Sequence, residues 1–80
     1  MQLSIHTKEK VLYTGPVCSI DLPSEPKGPF QLLPMHADLV AVLGPGVLRY
    51  RTLQQELHTI QVTNGMVEVL NGEVTVLLHS

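Results

Sequence analysis

The sequence predicts an all-β fold, a small flattened sandwich or barrel of about eight to ten short, mostly antiparallel strands. Three observations predict it. Apolar residues recur with a period of two, not 3.6, along nearly the whole chain. Turn-forming residues interrupt these runs about every eight to twelve positions. Asn71-Gly72 separates two alternating runs, Met66–Leu70 and Glu73–Leu77. A two-residue type I′ hairpin turn needs positive φ at both central residues, which Asn and Gly tolerate best.

Leu3 and Ile5 open a first strand. A polar turn over His6–Glu9 leads into Lys10–Tyr13, and Gly15-Pro16 is expected to end that strand. Cys18, Ile20 and Leu22 alternate with Ser19 and Asp21, a half-buried strand with Cys18 facing inward. Pro23–Pro29 contains three prolines, which remove backbone donors and forbid a ladder, so this segment is a loop. Phe30–Leu33 is a short strand stopped by Pro34. Leu39–Leu43 is a continuous apolar run of strand length, either buried on both faces or covered by a partner. Gly44-Pro45-Gly46 reads as a tight turn. Val47–Arg51 alternates, with Leu48 and Tyr50 on one face and Arg49 and Arg51 on the other. Thr52–His58 is the only plausible helix, with Leu53 and Leu57 four apart, but a single helical turn is marginal alone. It reads instead as a hairpin connection into a strand over Thr59–Val62. Asn64-Gly65 reads as a turn. In the final hairpin Val74, Val76 and Leu78 share one face, and Thr75 and Leu77 the other.

Composition narrows the function classes. Eighty residues make one domain, 1–80. A domain this small buries roughly 60% of the surface its unfolded chain exposes. Cys18 is the single cysteine, so no internal disulfide reinforces the core, which fits a reducing compartment. Hydrophobic residues make up 44% of the chain and charged residues 15%. So small a core cannot hide that much apolar surface, and an exposed apolar patch for a partner is expected. The net charge of -2 and the scarcity of aromatics give no footprint for nucleic acid. Apolar runs such as Val76–Leu78 are too short to enter a membrane, and Met1–Ile5 is no signal peptide. The chain is expected to stay where it is made, without inserting into a membrane itself.

No residue pattern points to chemistry. His6, His36, His58 and His79 have no metal-ligand spacing, and neither metal nor cofactor is expected. His36 either pins the loop after Pro34 or lies in a subunit contact. Ser19, Ser24 and Cys18 have no neighbouring base to make them nucleophiles. Gly44-Pro45-Gly46 is too short to cradle a phosphate, and no Lys-Ser or Lys-Thr follows it. Asp21, Glu25 and Asp38 read as solvated loop and face charges. Arg49 and Arg51 read as a solvated face whose charges also suit an acidic partner. The chain is therefore expected to be no enzyme.

Several short motifs, taken in order, carry a family resemblance. They are Ser19-Ile20-Asp21-Leu22-Pro23, Leu32-Leu33-Pro34-Met35-His36-Ala37-Asp38-Leu39 and Leu43-Gly44-Pro45-Gly46-Val47-Leu48-Arg49. Asn64-Gly65-Met66-Val67-Glu68-Val69 and Val74-Thr75-Val76-Leu77 complete the set. The chain resembles, over essentially its whole length, the N-terminal β-sandwich domain of the epsilon subunit of F-type ATP synthase. It departs from the family pattern at Met35, where glycine is usual, at Asp38, where proline is usual, and at Gln31, which replaces a common glycine. Asn64 replaces the first of two glycines, Pro29 stands where Glu is common, and the Ser24–Gly28 loop is one residue longer.

The resemblance implies a non-catalytic subunit of the central rotor stalk. Such a subunit links the gamma subunit to the proteolipid ring and couples rotation to ATP synthesis. It would lie peripherally at the cytoplasmic face of a bacterial inner membrane. The resemblance places Pro26, Lys27, Gly28, Pro29 and Phe30 toward the ring, and His36, Leu39, Val40 and Val42 toward gamma. The family's C-terminal helices, which carry its ATP-sensing motif and inhibitory extension, have no counterpart after Leu78-His79-Ser80, so neither property is expected of these residues. The alternative reading is a stand-alone β-sandwich module that binds a peptide or carbohydrate.

Overall fold

In a computed structural model of the chain, residues 1–24 and 28–79 are described. Eight strands follow one another: β1 (Gln2–His6), β2 (Val11–Leu22), β3 (Phe30–Leu32), β4 (Leu39–Leu43), β5 (Gly46–Thr52), β6 (Leu57–Val62), β7 (Asn64–Leu70) and β8 (Glu73–His79). Their lateral order is β4-β7-β8-β1-β2-β5-β6, with β3 also pairing β2. All neighbours are antiparallel except β1 and β8, which run parallel.

The long strand β2 builds the sandwich from this ribbon. Its first half, to Pro16, pairs with β1, and its second half pairs with β5 and β3. One sheet thus contains β4, β7, β8, β1 and the start of β2, and the other contains β3, the end of β2, β5 and β6. Gly15-Pro16 does not end the strand, contrary to the sequence expectation. At Pro16 the strand pairs only with Gln2 of β1, so a missing N–H toward the open edge breaks no ladder bond. The pair marks the corner where the strand changes sheets, a place such folds use for bends.

A bulge follows. Val17 is opposite Thr52 and Ser19 is opposite Arg51, which leaves Cys18 as the extra residue. The bulge resets the alternation, so Val17, Ile20 and Leu22 enter the core. Cys18 is half-buried rather than inward-facing, with its thiol donating to the Thr52 carbonyl at 3.3 Å.

One contiguous core joins the layers. Leu3, Ile5, Val67, Val69, Val74 and Val76 from the first sheet meet Ile20, Leu22, Leu32, Leu48, Tyr50 and Val62 from the second. Tyr50 lies between Tyr13, with ring centroids 4.5 Å apart, and the stacked His58 ring at 5.2 Å. Burial, and secondarily the neighbouring Tyr13, pushes the Tyr50 phenol above the ordinary tyrosine range. It is therefore a neutral core ring at physiological pH.

Thr52–His58 is the hairpin connection that the sequence reading expects: β5 pairs β6, and the Gln55 N–H donates to the Thr52 carbonyl at 3.0 Å. Leu53 and Leu57 are both exposed, so their helical spacing has no face to cover. The β4–β5 and β6–β7 connections are crossings between sheets, not hairpins. Asn64-Gly65 is therefore not a turn but the start of β7, paired with His79 and Leu78. Asn71 and Gly72, with φ of 52° and 77°, form the turn the sequence predicts.

Gly65 has a packing reason instead. A Cβ there would overlap the Leu77 carbonyl oxygen. That atom belongs to the ladder backbone and cannot swing away. Gly65→Ala is therefore expected to destabilise the domain by about 1–3 kcal/mol, as overpacking does. Urea denaturation measures this, and a change below about 0.5 kcal/mol, the usual range for surface substitutions, would contradict the close approach.

Candidate interaction surface

The run Leu39–Leu43 is not buried on both faces. Leu43 is buried, Leu39 and Ala41 are half-buried against the core, and Val40 and Val42 point outward at 64% and 60% exposure. Strand register extends this exposed face. Val42 pairs with Met66, and Met66 with Leu77, so three apolar side chains form a stripe across β4, β7 and β8. Met66 is 42% exposed and Leu77 47%. Leu77 is next to His6 on β1, and His6 is opposite the exposed Val11. The sequence reading selected Val40 and Val42 but not Met66 or Leu77. The signal for them was present: a two-residue turn at Asn71-Gly72 fixes Met66 opposite Leu77.

The other contact candidates lie beside this face. Gly28, Pro29 and Phe30, expected to face the ring, line a groove together with Ser24, Leu39, Val40 and Ala41. Two of the residues expected to face gamma thus border the same groove, and the two groups adjoin one another. Val42 lies outside that groove, on the stripe. Pro26 and Lys27 lie outside the described residues. His36 is exposed in the β3–β4 loop, with Nδ1 2.8 Å from the Ala37 carbonyl oxygen and its N–H donating to the Leu33 carbonyl at 3.2 Å.

Met35, beside it, is 98% exposed and has φ of 69°. This is left-handed backbone, which explains why the resembling family has glycine at this place. The conformation costs an L-residue roughly 1–2 kcal/mol, and glycine returns about half of the relief as unfolded-state entropy. Met35→Gly is expected to raise stability by up to about 1 kcal/mol in urea denaturation. A loss of stability would contradict the strain.

The outward face of the second sheet has the opposite character. Asp21, Arg49 and Thr59 lie in one cross-strand row, and Ser19, Arg51 and Leu57 in the next. Gln31 Nε2 donates to Asp21 Oδ1 at 2.9 Å, and Arg51 Nη1 donates to the Gln55 carbonyl at 3.2 Å. Among the described residues the one ion pair is His58–Glu56 at 3.6 Å, and it is exposed. Among those residues no three His, Cys, Asp or Glu side chains are grouped so as to hold a metal ion. The two outward faces thus differ: an apolar stripe crosses the first sheet, and the second presents polar rows that contain Arg49 and Arg51.

Comparison with known proteins agrees with this architecture. The family model for the ATP synthase, Delta/Epsilon chain, beta-sandwich domain matches residues 1–80. The ATP synthase epsilon chain of Leptospira borgpetersenii serovar Hardjo-bovis is 42% identical over 77 residues, covering 96% of this chain and 59% of that protein. The chloroplastic epsilon chain of Pelargonium hortorum is 32% identical over 77 residues, covering 96% of this chain and 57% of that protein. The chain therefore spans less than two thirds of the length of these relatives. Among solved structures, a chain in the Euglena gracilis mitochondrial ATP synthase (OSCP/F1/c-ring, rotational state 1) superposes with a TM-score of 0.88. It is 20% identical, with 95% of this chain and 48% of that chain covered, a likeness of fold.

Proposed function

The chain belongs to the family of ATP synthase delta/epsilon chain β-sandwich domains, and from that premise we propose that it is a non-catalytic subunit of the rotor stalk. It links the gamma subunit to the proteolipid ring, so that rotation of the ring drives gamma and ATP synthesis in the catalytic head. It does so peripherally, at the cytoplasmic face of a bacterial inner membrane.

One observation carries this reading: the apolar stripe Val42–Met66–Leu77 on the outward face of a sheet whose inward face already fills the core. A long helical partner such as gamma would gain by covering such a stripe, because that removes apolar area from water. The adjoining groove at Gly28, Pro29 and Phe30 then meets the ring. Torque transmission needs a stiff element. Two hydrogen-bonded layers around one core supply it, because each strand is tied laterally to its neighbours. The binding-module reading lacks a stacking platform: Tyr50 is buried and Tyr13 packs on it.

The test is NMR titration of the labelled chain, first with purified gamma subunit and then with detergent-solubilised proteolipid ring. Gamma is expected to shift the resonances of Val40, Val42, Met66 and Leu77, and the ring those of Gly28 and Phe30. Absence of shifts with both partners would sink the proposal.

A further inference from the structure

We propose that Asp38 is a positioning residue that locks the β3–β4 loop, and with it His36, onto the tip of the β7–β8 hairpin. This rests on the reading above that His36 belongs to the gamma-facing surface. The β4–β7 ladder begins at Leu39, opposite Val69. Two residues further along β7 the chain enters its turn at Asn71, and the N–H of the first residue in a two-residue turn has no ladder partner. Asp38 supplies one: its Oδ1 accepts the Asn71 N–H at 3.0 Å, across 33 residues of sequence. Proline, usual at this place in the resembling family, has no side-chain acceptor.

The loop needs such an anchor. Among the described residues, the hydrogen bonds made by residues 33–37 are internal to the loop: the His36 N–H to the Leu33 carbonyl, and the His36 ring to the Ala37 carbonyl. Met35 holds a left-handed conformation at full exposure, with no packing to fix it. Strained backbone persists only where its surroundings over-determine it. Leu32, paired with Ile20, holds one end of the loop; at the other the ladder starts only at Leu39, and the Asp38–Asn71 bond extends the tie to the residue that follows Ala37. A loop held this way presents His36 already ordered, so less entropy is lost when a partner binds.

The experiment compares the 80-residue chain with Asp38→Ala and Asp38→Asn, reading amide hydrogen exchange at Asn71 and His36 and affinity for purified gamma subunit. Asp38→Ala is expected to speed both exchanges about three- to tenfold, the worth of one hydrogen bond. Gamma affinity should fall by a similar factor while the chain stays folded, its thermal midpoint lower by no more than the several degrees one hydrogen bond is worth. Asp38→Asn keeps an Oδ1 acceptor and should restore most of both. Exchange within twofold of the parent in Asp38→Ala would overturn the anchor. Faster exchange with unchanged gamma affinity would overturn the positioning role. If the parent chain itself fails to bind gamma, the rotor reading and the positioning role fall together, while the exchange rates still decide the anchor.

Discussion

Val42→Asp is expected to leave folding nearly intact and to weaken gamma binding at least about tenfold. The side chain is 60% exposed, so a carboxylate there stays in water in the free chain. Surface substitutions of this kind usually move stability by less than about 0.5 kcal/mol. In a covered stripe the same carboxylate is buried without a partner, which costs several kcal/mol. Titration calorimetry against purified gamma, alongside a thermal melt, separates the two effects. Met66→Asp should behave the same way, because Met66 is opposite Val42. Arg49→Glu, on the outward face of the other sheet, should leave gamma affinity unchanged. If Val42→Asp unfolds the chain, the strand is core and the contact assignment fails.

Leu48→Ala is expected to have the largest effect on folding. Leu48 is fully buried at the centre of β5, within the cluster that joins the two sheets. Large-to-small changes at such sites cost about 2–5 kcal/mol. A domain of this size has a total stability of about 4–12 kcal/mol. The variant should therefore lose a large fraction of its stability, and in the lower part of that range be mostly unfolded at 37 °C. Circular dichroism during urea denaturation measures it, and a loss below about 1 kcal/mol would contradict the place assigned to Leu48.

What the sequence disclosed was what depends on near neighbours. Asn71-Gly72 was legible because a type I′ turn is a property of two residues. Leu48 and Tyr50 were legible as inward, and Arg49 as outward, because alternation is local. The failures all depend on distant partners. Gly15-Pro16 looks like a stop until one knows that Pro16 faces an open edge. Cys18 looks inward until a bulge against Thr52 shifts the phase. Asn64-Gly65 has turn chemistry, yet Gly65 is required by a carbonyl twelve residues away, at Leu77.

The proposed contact surface divides in the same way. Val40 and Val42 stood out because an unbroken apolar run is unusual in a half-buried strand. Met66 and Leu77 needed the hairpin register to bring them beside Val42. The role of Asp38 was hidden because its partner, Asn71, is remote in sequence.

In the proposed role this sandwich is a passive collar held between rotor neighbours. Native mass spectrometry of the complex purified from host membranes through a tag on this chain tests it most directly. Ions that contain this chain together with the gamma and proteolipid subunits are expected, and loss of gamma from those ions when Val42 is replaced by Asp. Recovery of the chain alone, or bound to a small metabolite in place of those subunits, would contradict it.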